Sequence, residues 1–156
     1  MSKPQFVYVS YIETTPEKLW EALTKPEFNR LYWGGMWQDS DFRPGSSWRL
    51  TFADGGVADA GEVLESDPPR RLVLKWRHEI RPELKAEGYS HASFDLEPVS
   101  GAVKLTVTHQ IDREGSKLIQ AVSGGWPRIL ASLKSLLETG EPLDRGVIRP
   151  QDVQAA

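Results

Sequence analysis

Residues Leu118–Thr139 read LIQAVSGGWPRILASLKSLLET, and this stretch decides the fold. Leu118, Val122, Trp126, Ile129, Leu130, Leu133, Leu136 and Leu137 recur at intervals of three and four, which gathers them on one side of a helix. A stripe this apolar needs a second layer to cover it. Gly140 follows as a natural C-terminal cap, because glycine reaches the left-handed conformation without steric cost. Pro127 lies inside the stripe and removes a hydrogen bond to the Ser123 carbonyl. With Gly124 and Gly125 before it, it predicts either a kink or a division into two helices.

Upstream the period changes from 3.6 to 2. In Ala102–Ile111, Val103, Leu105, Val107 and His109 oppose Lys104, Thr106 and Thr108. Ser90–Leu96 sets Ala92, Phe94 and Leu96 on one face. Leu72–Ile80 does the same with Leu72, Leu74, Trp76 and His78, and Ser47–Ala53 with Trp48, Leu50 and Phe52. Val57–Ser66 reads as a further strand. Asp54-Gly55-Gly56, Asp67-Pro68-Pro69-Arg70 and Ser100-Gly101 supply the turns, and Arg81–Glu87 reads as a charged loop. Alternation of this kind marks antiparallel strands with one buried face and one wet face.

Nearer the start, Phe6–Ile12 reads as a strand. Thr15 then offers an N-cap and Pro16 suits the first helical position. Leu19, Trp20 and Leu23 share a helical face, and Thr24-Lys25-Pro26-Glu27 repeats the stop-and-start signal before Phe28 and Leu31 or Tyr32. Trp33-Gly34-Gly35-Met36-Trp37 carries two glycines and reads as an aromatic loop. The expected order is strand, two short helices, five or six strands and one long helix. This is an α+β domain over residues 1–140, with a tail at 141–156 that lacks periodicity and is expected to be poorly ordered.

Composition narrows the classes of function. The chain has 156 residues, which suits one domain, and a net charge of −3. It has no cysteine, which excludes disulfides, thiolate metal sites and cysteine nucleophiles. No basic stripe points to nucleic acid. No apolar run approaches the roughly 20 residues of a membrane helix, and no signal peptide is apparent. The expectation is a soluble cytoplasmic protein.

Four segments resemble one family. They are TTPEKLWEALTKPEF at Thr14–Phe28, GEVLESDPPRRLVLKW at Gly61–Trp76, LTVTH at Leu105–His109 and GGW at Gly124–Trp126. Together they resemble bacterial proteins related to the C-terminal domain of the heat-shock protein 90 ATPase activator. That group lies within the START-like, birch-pollen-allergen-like (SRPBCC) superfamily. The resemblance spans roughly residues 5 to 139 and implies a helix-grip fold. In that fold a curved antiparallel sheet wraps round the C-terminal helix, and two short helices close one end of an apolar cavity. Pro127 departs from the pattern, where a helix-compatible residue is expected. The superfamily includes lipid and hormone carriers, polyketide cyclases and aromatic-ring hydroxylase subunits, so the fold alone does not settle function.

Six tryptophans stand in this short chain. Trp48, Trp76, Phe94 and Trp126, with Leu130 beside them on the helix, fall on faces that point between sheet and helix. The pattern fits a solid core or a lined pocket; six indoles are hard to pack without voids. Trp33, Met36 and Trp37 suit a lid over such a pocket. His78 and His109 are expected inside and His91 outside. The two inner imidazoles fit satisfied core groups, or polar anchors for a ligand carbonyl or hydroxyl. No HxH or HxxxH spacing supports a metal site. Glu62, Asp95 and Glu97 take outward parity, while Glu65 shares the parity of Val63 and, if buried, needs a partner such as arginine. No GxSxG elbow or phosphate loop is present.

The reading favoured by these residues is binding of an apolar small molecule, with Trp37, Trp48, Trp76, His78, Phe94, His109, Trp126 and Leu130 facing it. A histidine or an indole N–H would fix its orientation. No cofactor or metal is called for, and a homodimer is left open. An enzyme of polyketide-cyclase or hydrolase type using the same pocket is the alternative, with His78 and His109 as its titratable pair. A chaperone-associated role rests on the family name alone.

Overall fold

The computed structural model describes residues 4–143 and 146–155. Positions 1–3, 144, 145 and 156 lie outside the described residues, and with them part of the expected tail. The elements run β1 (Gln5–Ile12), α1 (Pro16–Thr24), α2 (Pro26–Tyr32), β2 (Trp37–Ser40), β3 (Ser47–Thr51), β4 (Val57–Asp67) and β5 (Arg71–His78). There follow α3 (Pro82–Lys85), β6 (Ser90–Val99), β7 (Ala102–Gln110), α4 (Lys117–Thr139) and α5 (Pro150–Ala155). The strands form one antiparallel sheet in the order β1-β7-β6-β5-β4-β3-β2. Strands β2 to β7 are therefore a continuous meander, and β1 joins it beside the last strand.

The two N-terminal helices form as their signals require. Thr15 Oγ1 accepts from the Lys18 N–H at 3.2 Å, and Pro16 opens α1. Lys25 closes α1 and begins α2, whose first residue is Pro26. Asn29, fully buried on α2, donates to the Ala22 carbonyl at 2.9 Å and accepts from the Gln38 N–H at 3.0 Å. Gln38 donates in turn to Leu23 O and accepts from Trp48 Nε1–H. This buried polar chain fastens the helix pair to β2 and β3.

α4 is one continuous helix with Pro127 inside it, so the division into two does not occur. Ser116 caps its first turn and Gly140, at φ 85°, ends it. The Glu87 carboxylate reaches across to accept from Ser116 Oγ and the Lys117 N–H, placing an acid at the positive end of the helix. At the other end Lys134 bonds the Tyr11 carbonyl, and Glu138 accepts from the Glu13 N–H. The helix packs on β1, β7 and α2. Its Leu130 and Leu133 are fully buried.

Three local features depart from the expected pattern. The loop expected at residues 33–37 ends in the short edge strand β2, and the charged loop holds the one-turn helix α3. A register shift between Val63 and Glu65 turns Glu65 outward, where it meets Arg71 Nε at 3.5 Å. After Gly140 the chain bends back: Ser132 Oγ accepts from the Leu143 N–H, and the Ile148 N–H donates to Gly34 O at 2.7 Å. Ile148 and Val153 pack on the core.

Candidate functional site

A cavity of about 380 Å³ opens between the β4–β5 end of the sheet, α4 and the returning C-terminal segment. Trp33, Trp76 and Trp126 form its aromatic wall. Trp126 meets Trp33 and Trp76 edge-on, with ring centroids 5.5 and 5.6 Å apart. Met36, Leu84 and Ile129 extend the apolar lining, and Ile148 and Val153 supply the side facing α4. Ala121, Gly125 and Arg128 on α4 line it too, as do Arg81 and Asp152.

Of the eight residues expected to face a ligand, Trp76, His78 and Trp126 line this cavity. The other five stand elsewhere, each for a clear reason. Trp48 lies behind Trp76, with ring centroids 4.4 Å apart, and is fully buried. Phe94 abuts the far side of Trp126 at 5.7 Å. Leu130 lies in the solid core between helix and sheet. Trp37 is the first residue of β2, and Met36 precedes it in the loop. Met36 lines the cavity while Trp37 lies under the Arg30 guanidinium, 5.1 Å from its ring centroid. The space directly between Trp76 and Trp126 is closed by the rings themselves. The cavity lies beside them, toward α3 and the C-terminal segment. The Trp33 and Met36 part of the lid reading matches the lining; Trp37 does not.

His109 is the fifth. It is fully buried, and Nδ1 accepts from Trp126 Nε1–H at 3.0 Å. The ring proton therefore sits on Nε2, which donates to Ser90 Oγ at 2.7 Å, and Ser90 donates to the Trp76 carbonyl. Burial pushes its pKa down to about 3, helped by the charge of His91. This is a neutral, fully satisfied core imidazole that orients Trp126. It does not face a common guest with His78.

The residue missed by pattern is Asp59. It is 8 % exposed and lies opposite His78 in the β4–β5 register. Its Oδ1 accepts from Trp76 Nε1–H at 2.9 Å and pairs with His78 Nδ1 at 3.1 Å. Asp59 shares the parity of the fully buried Val63, which was the available signal. His78 is also 8 % exposed, and its Nε2 is buried with no hydrogen-bond partner among the described residues. The indole N–H groups of Trp48, Trp76 and Trp126 are all engaged within the protein. None of the three is left to orient a guest.

Gly61 holds this corner together. It pairs with Trp76, and a Cβ there would come within 1.7 Å of the Lys75 carbonyl oxygen. Gly34 does the same for the C-terminal segment: at φ 61° it leaves room for Ile148, whose Cγ1 a Cβ would meet at 2.5 Å. Among the described residues no group of acids and histidines is placed to hold a metal ion. No helix there is long and apolar enough to cross a membrane.

Comparison with known proteins agrees with this architecture. Protein MLL2253 from Mesorhizobium loti is 26% identical, covers 86% of this chain and 96% of its own, and superimposes with a TM-score of 0.73. The Aha1 dimer from Colwellia psychrerythraea is 23% identical over 88% of this chain and 98% of its own, at a TM-score of 0.71. CalU16 from Micromonospora echinospora is 20% identical over 87% and 77%, at 0.69. A comparison with curated proteins returns no match. The family model described as Activator of Hsp90 ATPase homolog 1-like protein matches residues 13–138. With most of its length matched and the helix-grip architecture in place, the chain belongs to that family.

Proposed function

We propose that this protein binds an apolar small molecule in the cavity bounded by Trp33, Trp76, Trp126 and Ile148. The observation that carries the reading is the cavity itself. Its volume of about 380 Å³ falls in the range of small-molecule sites, and its lining is mostly apolar, with Asp59 and His78 at one corner and Arg81, Arg128, Ser132 and Asp152 elsewhere on it. Burying guest surface there contributes roughly 25 cal/mol per Å² before the costs of association. Much of the wall is built in advance, since Trp76 and Trp126 are each held by their neighbours and by an N–H partner, which limits the ordering cost on binding.

Isothermal titration of the full chain with naphthalene-sized aromatics tests the reading. Saturable one-to-one binding in the wild type, lost in Gly125→Phe, is the expected outcome. Gly125 lines the cavity on the exposed side of α4, with nothing within 4 Å of where its Cβ would lie, so a phenyl ring there meets no core atom and crowds the cavity's mouth. Equal binding by the plugged variant would refute it.

A further inference from the structure

We infer that the guest carries a hydroxyl group, a phenol in the first instance, and that Asp59 and His78 are the positioning pair that recognises it. The inference rests on the cavity reading above and adds the chemistry of the corner at Asp59 and His78.

Two donors converge on Asp59 Oδ1, from Trp76 at 2.9 Å and His78 at 3.1 Å. A carboxylate accepts and does not donate, so Nδ1 of His78 carries the proton. In this tautomer Nε2 presents a lone pair. That atom is buried and has no partner among the described residues, although the residue itself lines the cavity. An unpaired buried acceptor costs about 1–3 kcal/mol. A guest hydroxyl that donates to it removes the cost, once a neighbouring wall side chain gives way to let it in. The fixed Asp59 carboxylate prevents the ring from presenting its other nitrogen instead.

The same geometry rejects other head groups. A hydrocarbon or an ether leaves Nε2 unpaired. A carboxylate has no proton to offer and would lie near the charge of Asp59. Of the two hydroxyls on the lining, Ser132 Oγ already accepts from the Leu143 N–H and Tyr32 donates to the Ala22 carbonyl. The corner is thus selective for a neutral donor. Arg81 and Arg128 also line the cavity, so an acid is the competitor that must be compared.

Titrating the full chain with β-naphthol, its methyl ether and the corresponding naphthoate separates these cases. Naphthol is expected to bind about tenfold more tightly than the ether, the effect of one good hydrogen bond. His78→Phe should bring naphthol and ether level while the ether still binds, and Asp59→Asn should narrow the gap because the tautomer is no longer fixed. One readout needs no variant: the His78 Nε2 nitrogen resonance of the wild type should move with naphthol and not with the ether. If naphthol and ether bind within about twofold and that resonance stays still, the donor inference fails while the apolar cavity stands. If naphthoate binds tightest, recognition belongs to the guanidinium groups and the inference is overturned. If none of the three binds, it falls together with the reading on which it rests.

Discussion

His109 and His78 are both buried imidazoles, and they differ in how far their surroundings satisfy them. His109 has a partner at each ring nitrogen and is held neutral, with its pKa pushed down to about 3 from an ordinary 6.5. The unfolded chain therefore binds a proton that the folded chain refuses. Stability is fully present above pH 6.5 and declines as pH falls from there toward about 3. Chemical denaturation measured across that range should show the decline, and His109→Gln should flatten it; an unchanged slope in the variant would place the titrating group elsewhere. Gly61 makes a second residue-level prediction. Gly61→Ala forces a Cβ into the Lys75 carbonyl and should cost about 3 kcal/mol in urea unfolding. The inward placement of His78 and His109 was legible because strand parity is local. Asp59 was harder to read. The register shift opposite Leu50 and Thr51 leaves Ala58 and Asp59 buried side by side at the start of β4, so the alternation is broken next to it.

At the scale of elements, α4 and the segment after it contrast sharply. The α4 stripe, its glycine cap and its covering role were all in the sequence, because an apolar period of 3.6 has one physical solution. What Pro127 does there was not legible, since propensity weighs a single residue while packing acts on the whole helix. Gly124 faces open space on this helix, so Gly124→Ala should raise stability by about 1 kcal/mol, read as a higher midpoint in thermal unfolding. The C-terminal segment gave no periodic signal at all. Its docking depends on single contacts: the Ile148 N–H to Gly34 O, and the Ile148 side chain over a glycine with positive φ. Those contacts join residues far apart in sequence, which no local pattern encodes. Ile148→Ser should weaken guest binding about tenfold in calorimetry while leaving the far-ultraviolet circular dichroism spectrum unchanged. Undiminished affinity would remove the segment from the cavity wall.

The whole molecule was readable as a fold and only partly readable as a site. The strand order, the helix pair and the covering helix follow from patterns repeated over many residues, and errors at single positions do not disturb them. The site depends on which gaps remain once large rings have packed. Trp48 and Phe94 share the inward parity of Trp76, yet they stand behind the wall because Trp76 and Trp126 close the space in front of them. Parity decides the face a residue takes and leaves its depth open. Outside the cavity, Val7, Val9 and Tyr11 expose an apolar row on β1, which gives a greasy molecule a rival place to settle. Locating a bound aromatic by intermolecular nuclear Overhauser effects decides between them. The account predicts contacts from naphthol protons to the methyl groups of Val122, Ile129 and Ile148. Contacts confined to Val7 and Val9 would show that the interior takes no guest.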